Sequence, residues 1–209
     1  MGAVMAEKVR KERQSDYACR LIKGAIINGE FRPGDLLMEQ DMVERFGIGR
    51  TPVREALQKL SVVGLVQCIP HKGVIVAVMS KNDVKNVLEI RCTLDSLAAS
   101  LAAQRATEKD LSDIDAILNS PDYTESNKVY FDELLHKAIY KASHNDELLK
   151  ILNGLYEKSV CMLSIGGLER EPIANMKKEI SRIIDAIKNH DPEEASKAAL
   201  DHVQSRNWF

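Results

Sequence analysis

Aromatic side chains are scarce in this chain: 5% of 209 residues, with a single tryptophan. Apolar residues still make up 44%, so a core has to be built from Leu, Ile, Val and Ala. That favours helices packed on helices over a β-sandwich. An excess of positive charge is also missing. The formal net charge of −2 argues against a general nucleic-acid coat protein. The four cysteines, Cys19, Cys68, Cys92 and Cys161, form no CxxC pair. They read as reduced thiols, mostly core fillers, of a cytoplasmic protein. No apolar run approaches the length of a membrane span. The opening MGAVMAEKVRKERQSD lacks the apolar core of a signal peptide and reads as a mobile charged arm over residues 1–15. There is no glycine-rich phosphate loop and no nucleophile motif.

The charge that is present is unevenly divided. Residues 1–80 carry 12 Lys/Arg against 9 Asp/Glu, and residues 81–209 carry 17 against 22. A basic part joined to an acidic part suits a DNA reader with an attached sensor.

The first third punctuates clearly. Ser15 and Asp16 are candidate caps for a helix with Ala18, Leu21, Ile22, Ala25 and Ile26 at three- and four-residue steps. Asn28-Gly29 ends it, and Pro33-Gly34 makes a turn. A short helix follows over about 39–46, with Met42, Val43 and Phe46 on one face and Gly47 at its end. Arg50–Val63 forms a third helix with Val53, Ala56, Leu57 and Leu60 inward. Two short helices joined by a tight turn make a helix-turn-helix. After Gly64 the period changes: LVQCI and GVIVAV, separated by PHK, read as a β-hairpin. The whole of residues 16–79 is therefore expected to be a winged helix-turn-helix.

In such a unit Arg50, Thr51 and Arg54 lie opposite the apolar stripe, at the end of the helix that enters a major groove first. Arginine's planar fork can grip guanine O6 and N7 or a phosphate. Pro52 sets the first turn without wasting an amide donor. His71, Lys72 and Gly73 fall at the wing tip, within reach of the backbone or the minor groove. The ordinary alternative is that these are solvated surface charges.

RTPVREAL, with NGEFRPGDLL upstream and GLV…PHKGVIV downstream, resembles the DNA-binding domain of the GntR family of bacterial transcription regulators. The likeness runs without a gap through roughly 16–78. It implies that Arg50, Thr51 and Arg54 contact operator DNA, together with the wing around Lys72-Gly73. Two positions depart from the family pattern. Gly49 stands where the family usually has a serine, so a capping hydroxyl is missing. Gln40 stands where some members carry a phosphate-binding arginine.

Residues 80–209 carry no strand pattern and read as an all-helical bundle of about six helices, at about 83–105, 107–119, 125–143, 145–165, 171–189 and 192–206. Ser80…Asp83 and Thr107…Asp110 are capping-box starts, and Asp191-Pro192-Glu193-Glu194 opens the last helix. Pro121, Gly166-Gly167 and Pro172 fall between elements. Asp132 and His136 are four apart and share a helical face, so both can reach one cation. His202 shares a face with Ala195 and Ala199. For each, the plain alternative is a hydrogen bond or a satisfied core histidine.

The segments NVLEIRCTLDSLAASLAA, DELLHKAIYKASHN and DPEEASKAALDH resemble the effector-binding domain of the FadR branch of the same family, in its shorter VanR-like form. The resemblance implies a divalent metal, zinc or nickel, held by one Asp and three His, with a small carboxylate beside it. Asp132, His136 and His202 match three of those positions, and Ile180 stands at the fourth. Ile180 falls instead in a core-like stripe with Ile183, Ile184 and Ile187. Arg91 matches the Arg of the branch's E-x-R, where its fork would suit an organic acid; the alternative is an ion pair with Glu89 or an acid of a neighbouring helix.

The sequence therefore reads as a mainly α protein, a winged helix-turn-helix followed by a helical effector-binding and dimerisation domain. Its expected function is that of a regulator, most simply a repressor, binding double-stranded operator DNA as a homodimer under control of a small-molecule effector. Asp132, His136, His202 and Arg91 are the effector-site candidates. Two other classes compete: a metal-dependent hydrolase with an appended winged helix, using the Asp/His/His set to activate water, and a winged helix serving only protein contacts.

Overall fold

The computed structural model describes residues 13–70, 72–78, 80–165 and 172–205. His71, Gly166-Gly167 and residues 1–12 of the expected arm lie outside them. The chain divides into two compact units, Met1–Met79 with Cys161–Gly167, and Ser80–Val160 with Leu168–Phe209.

The N-terminal unit runs α1 (Gln14–Ile27), β1 (Leu36–Leu37), α2 (Glu39–Phe46), α3 (Arg50–Val62), β2 (Val66–Ile69) and β3 (Gly73–Val76). Its strands form one antiparallel sheet in the order β1-β3-β2. The hairpin pairs Val66 with Val76 and Ile69 with Gly73, so Pro70 and Lys72 belong to the wing tip. Strand β1 was not expected from sequence, because two residues carry no period. The capping expectation at Ser15 and Asp16 is corrected. α1 opens at Gln14, with Arg13 at its N-cap and no side chain closing it, so positions 14 and 15 of the expected arm are helical. Ser15 is buried and accepts a bond from Lys59 Nζ at 3.2 Å, while Asp16 takes the same ammonium at 2.6 Å. These two polar groups tie α1 to α3 instead.

The stripe read for α3 is the buried one: Val53, Ala56, Leu57 and Leu60 are 2% exposed or less. They pack with Ile22, Ile26, Leu37, Met42, Leu65 and Val76 in one cluster. Truncating Leu57 to alanine in this core costs about 2–5 kcal/mol. α2 ends where Gly47 turns left-handed (φ 65°) and returns its N–H to Val43, the helix stop that glycine makes cheaply.

The second unit runs α4 (Lys81–Arg105), α5 (Glu108–Leu118), a single 3-10 turn (Glu125–Asn127), α6 (Lys128–Ala142), α7 (Asp146–Ile165), α8 (Ile173–Lys188) and α9 (Pro192–Ser205). Both expected capping boxes are formed, Ser80 with Asp83 and Thr107 with Asp110. Asp191 Oδ1 accepts the Glu194 N–H at 3.0 Å at the start of α9. Ala99, Ala102 and Ala103 of α4 share the core with Ala195, Ala198 and Ala199 of α9. Side chains this small let two helix axes approach closely. Ile180, Ile183, Ile184 and Ile187 lie inside as one α8 stripe.

The cysteine expectation needs amending. Cys68 is exposed and Cys19 and Cys92 are half-buried, so none of these three fills the core. No described helix is long and apolar enough to cross a membrane.

Candidate functional site

Two clusters of polar residues are set up by this architecture, one in each unit. In the first, Arg50 and Arg54 lie four apart on α3, the spacing that puts both on one helical face. Arg50, Thr51 and Arg54 are all exposed, opposite the buried stripe. Gly49 occupies the α3 N-cap in extended conformation, and no side chain caps the helix. The guanidinium of Arg54 donates Nε to Glu39 Oε1 at 2.8 Å and Nη2 to Glu39 Oε2 at 2.9 Å. This pairing holds the Glu39 carboxyl below its ordinary range. Arg50 Nη2 donates to Gln40 Oε1 at 2.8 Å, and Gln40 Nε2 donates to Glu44 Oε1 at 2.7 Å. Gln40, singled out for its place in the motif, thus braces Arg50.

At the wing, Lys72 and Gly73 are exposed, and the Lys72 N–H bonds Ile69 O at 3.0 Å. Gly73 has φ 105°, and a Cβ there would lie 3.3 Å from Leu36 Cδ1. Backbone geometry alone accounts for glycine at this position.

The second cluster is buried between α4, α6, α7 and α9. Asp132, His136 and His202 each offer a ligand atom, and these atoms all lie within 4.8 Å of one another. His136 Nε2 stands 3.2 Å from His202 Nε2 and 3.9 Å from Asp132 Oδ2. The outer nitrogens are engaged as well. His202 Nδ1 meets Glu179 Oε2 at 2.9 Å. His136 Nδ1 meets the Tyr140 hydroxyl at 3.3 Å, whose proton goes to Asp95 Oδ1. A carboxylate only accepts, and a hydroxyl that has spent its proton accepts from a ring. The Nδ1 protons of both rings therefore point outward, and the two Nε2 atoms face each other at a spacing that a shared proton or a metal ion can bridge. Tyr156 donates to Asp132 Oδ2 at 2.6 Å. Desolvation pulls the His136 pKa down to about 3; Asp132 opposes that, while His202 and Arg91 add to it. The ring is neutral, the form that binds metal.

The two nitrogens are spaced for a shared metal, while the Asp132 oxygen, 3.9 Å from His136 Nε2, would have to close in by about half an ångström to join them. Two nitrogens about 2.0–2.1 Å from a tetrahedral zinc stand about 3.4 Å apart. The Glu179–His202 pair is the outer hydrogen bond that metal-bound histidines make. Beside the two rings lies a cavity of about 10 Å³, lined also by Asp95, Tyr140, Ile183 and Val203, with room for about one water-sized group.

Arg91 is 3% exposed and engaged by partners within the bundle. Its Nε donates to Asp95 Oδ2 at 2.9 Å, its Nη1 to Ser159 Oγ at 2.8 Å, and its plane lies over the Tyr156 ring at 5.1 Å. The acid partner is neither Glu89, which faces Lys85, nor one on another helix. It is Asp95, one turn along α4. Desolvation pushes the Asp95 carboxyl up, but the charge and hydrogen bond of Arg91, with the Tyr140 hydroxyl, outweigh it and hold the group below its ordinary range. Asp95, Tyr140, Tyr156 and Ser159 were not singled out in the sequence. Tyr140 continues the Asp132/His136 spacing, and Asp95 stands i+4 from Arg91; Tyr156 and Ser159 on α7 carried no signal.

Residues 15–76 match the bacterial regulatory proteins, gntR family, and residues 86–205 match the FCD domain. The chain belongs to the GntR family of bacterial transcription regulators. It is 28% identical over 192 residues to the HTH-type transcriptional regulator YdhC of Bacillus subtilis, covering 87% of this chain and 84% of that one. It is 30% identical over 206 residues to the Uxu operon regulator of Haemophilus influenzae, covering 89% and 77%. The solved structure of McbR/YncC from Escherichia coli shares the fold, with a TM-score of 0.76 at 22% identity over 93% of this chain and 95% of that one. This GntR-family protein is a DNA-binding transcriptional regulator with an FCD domain that takes a small-molecule effector. The relatives are regulators, and the hydrolase reading finds no support among them.

Proposed function

We propose that the protein is a cytoplasmic repressor that grips a pseudo-palindromic operator as a homodimer and loses that grip when a small carboxylate occupies the FCD domain. The observation that carries the DNA half is the exposure of Arg50, Thr51 and Arg54 at the leading end of a helix whose other face is core. In this reading the two arginines reach base edges or phosphates, Thr51 donates to a phosphate, Gln40 braces Arg50, and Lys72 and Gly73 bring the wing to the backbone. Two such helices related by a two-fold axis read two half-sites. The test is anisotropy titration against a duplex selected from a randomised library. Arg50→Ala and Arg54→Ala should each weaken binding, and the parent should show a steep salt dependence. Unchanged affinity in both variants would remove α3 from the interface and leave a protein-contact role for the wing.

For the sensor half, Asp132, His136 and His202 hold one divalent ion, zinc or nickel. The supporting observation is the pair of Nε2 atoms 3.2 Å apart with both Nδ1 protons committed outward. When bound, the ion supplies a Lewis-acidic point at which an effector carboxylate can attach. Glu179 and Tyr140 set the two ring tautomers, and Tyr156 orients Asp132. Ile180 contributes no donor, which leaves coordination positions for the effector. A cavity of about 10 Å³ cannot take an organic acid without moving its walls, so occupancy is coupled to movement of α4 and α9. Arg91 joins the effector by exchanging its Asp95 partner. Elemental analysis of untagged protein dialysed against zinc or nickel decides the metal: content far below one equivalent ends that half of the reading.

A further inference from the structure

Resting on α3 as the DNA-facing helix, we infer that Glu39 is a positioning residue for base reading: it fixes the Arg54 fork before DNA arrives. Glu39 lies on the first turn of α2, away from the α3 motif, and is a carboxylate close to the face that meets a polyanion. Its charge opposes attraction to phosphate, so its contribution has to be directional.

The stereochemistry gives that direction. An arginine side chain has five N–H donors in one plane. Glu39 takes the side edge, Nε at 2.8 Å and one Nη2 hydrogen at 2.9 Å. The end edge, with one hydrogen from each Nη, stays intact, and that edge is the fork that fits guanine O6 and N7. The Arg54 side chain is 60% exposed while Glu39 is 32% exposed, so the brace sits on the protein side and the fork faces outward. Fixing the plane in advance removes rotamer freedom that binding would otherwise have to freeze.

Arg50 is braced differently. Its partner Gln40 is neutral and is held in turn by Glu44. Arg50 therefore meets no charge at its own contact and feels Glu39 only more weakly, whereas Arg54 is paired with Glu39 directly. The two arginines divide the work: Arg50 supplies attraction, and Arg54 supplies orientation with little net charge.

The test uses the full-length protein. The parent selects a duplex from a randomised library, and binding to that duplex and to a scrambled one is measured over a salt series for Glu39→Gln, Glu39→Ala and Arg54→Ala. Circular dichroism checks that each variant folds. Glu39→Gln keeps the size but loses the charge and one acceptor. It should bind the scrambled duplex more tightly and with a steeper salt slope, while the selected-to-scrambled ratio falls about tenfold. Adding Glu39→Ala to Arg54→Ala should lower the ratio no further than Arg54→Ala alone, because the two act as one unit. A ratio unchanged in Glu39→Gln would overturn the inference and leave the DNA reading of α3 standing. A parent that enriches no sequence would overturn both.

Discussion

Nε2 of His136 faces Nε2 of His202 across 3.2 Å, and the ring protons point the other way, to Tyr140 and Glu179. In a buried site two nitrogens at that distance share either a proton or a metal ion, and the spacing suits both. Zinc or nickel should therefore stabilise the protein. At a free metal concentration one hundred times the dissociation constant, the gain is about 2.7 kcal/mol, an upward shift in melting temperature of ~5–10 °C. His202→Ala should abolish the shift on metal addition, whatever it does to the metal-free protein. A parent whose melting curve ignores both metals, or a variant that still responds, would contradict the site.

Arg91 and Asp95 form a buried ion pair at 2.9 Å, with Ser159, Tyr140 and the Tyr156 ring completing its surroundings. Removing one partner strands the other charge in the core. Arg91→Ala and Asp95→Ala should each cost about 3–5 kcal/mol by urea denaturation. The double variant Arg91→Met/Asp95→Leu should cost clearly less than the sum, since it strands no charge. Arg91→Ala is thus a poor probe of effector response; Arg91→Lys, which keeps the charge but loses the two-pronged grip, separates ligand reading from folding. Additive losses in the double variant would show that the pair is not coupled.

Asp110 closes the capping box of α5 and is held at about 2, against an ordinary 3.8, first by the Thr107 hydroxyl, against desolvation, and then by the Thr107 amide and His144. His144 Nε2 lies 2.9 Å from the same carboxylate oxygen. A carboxyl whose folded pKa lies below its unfolded one adds stability that is complete above about pH 4. That stability is lost as pH falls toward about 2. Asp110→Asn should lower stability at neutral pH by about 0.5–2 kcal/mol and flatten the pH dependence in that acidic window. If parent and variant lose stability in parallel between those limits, Asp110 is not the group responsible.

Where periodicity and punctuation agree, the sequence is enough to place the elements. The short α2, bounded by a glycine, was located at its observed ends, and α3 showed its buried stripe directly. Polar residues were harder to place, because a hydrogen bond leaves no periodic trace. Ser15 and Asp16 look like caps until Lys59, 44 and 43 residues further along, is brought beside them. The acid opposite Arg91 stood one turn away on the same helix, and Glu39, from another helix, was invisible beside Arg54 for the same reason. Ile180 was readable both ways, as a missing ligand and as a member of an isoleucine stripe. The structure places it fully inside the core with Ile183, Ile184 and Ile187.

That position allows a gain-of-function test. If Ile180 stands where related domains carry a fourth ligand, Ile180→His should add an imidazole to the Asp132/His136/His202 set and tighten zinc by about tenfold or more. The metal-free variant should be less stable by roughly 1–3 kcal/mol, since a polar ring replaces a fully buried aliphatic one-for-one without a partner. Zinc should then return more stability than it gives the parent, because added binding energy is added folding energy. The response to an organic acid should weaken in the same variant, as the new imidazole takes a coordination position that the acid would use. Competition titration with a chromophoric chelator measures the first effect and thermal melting the second. Equal zinc affinity in parent and variant would mean that residue 180 does not face the cluster, and that Ile180 is core and nothing more.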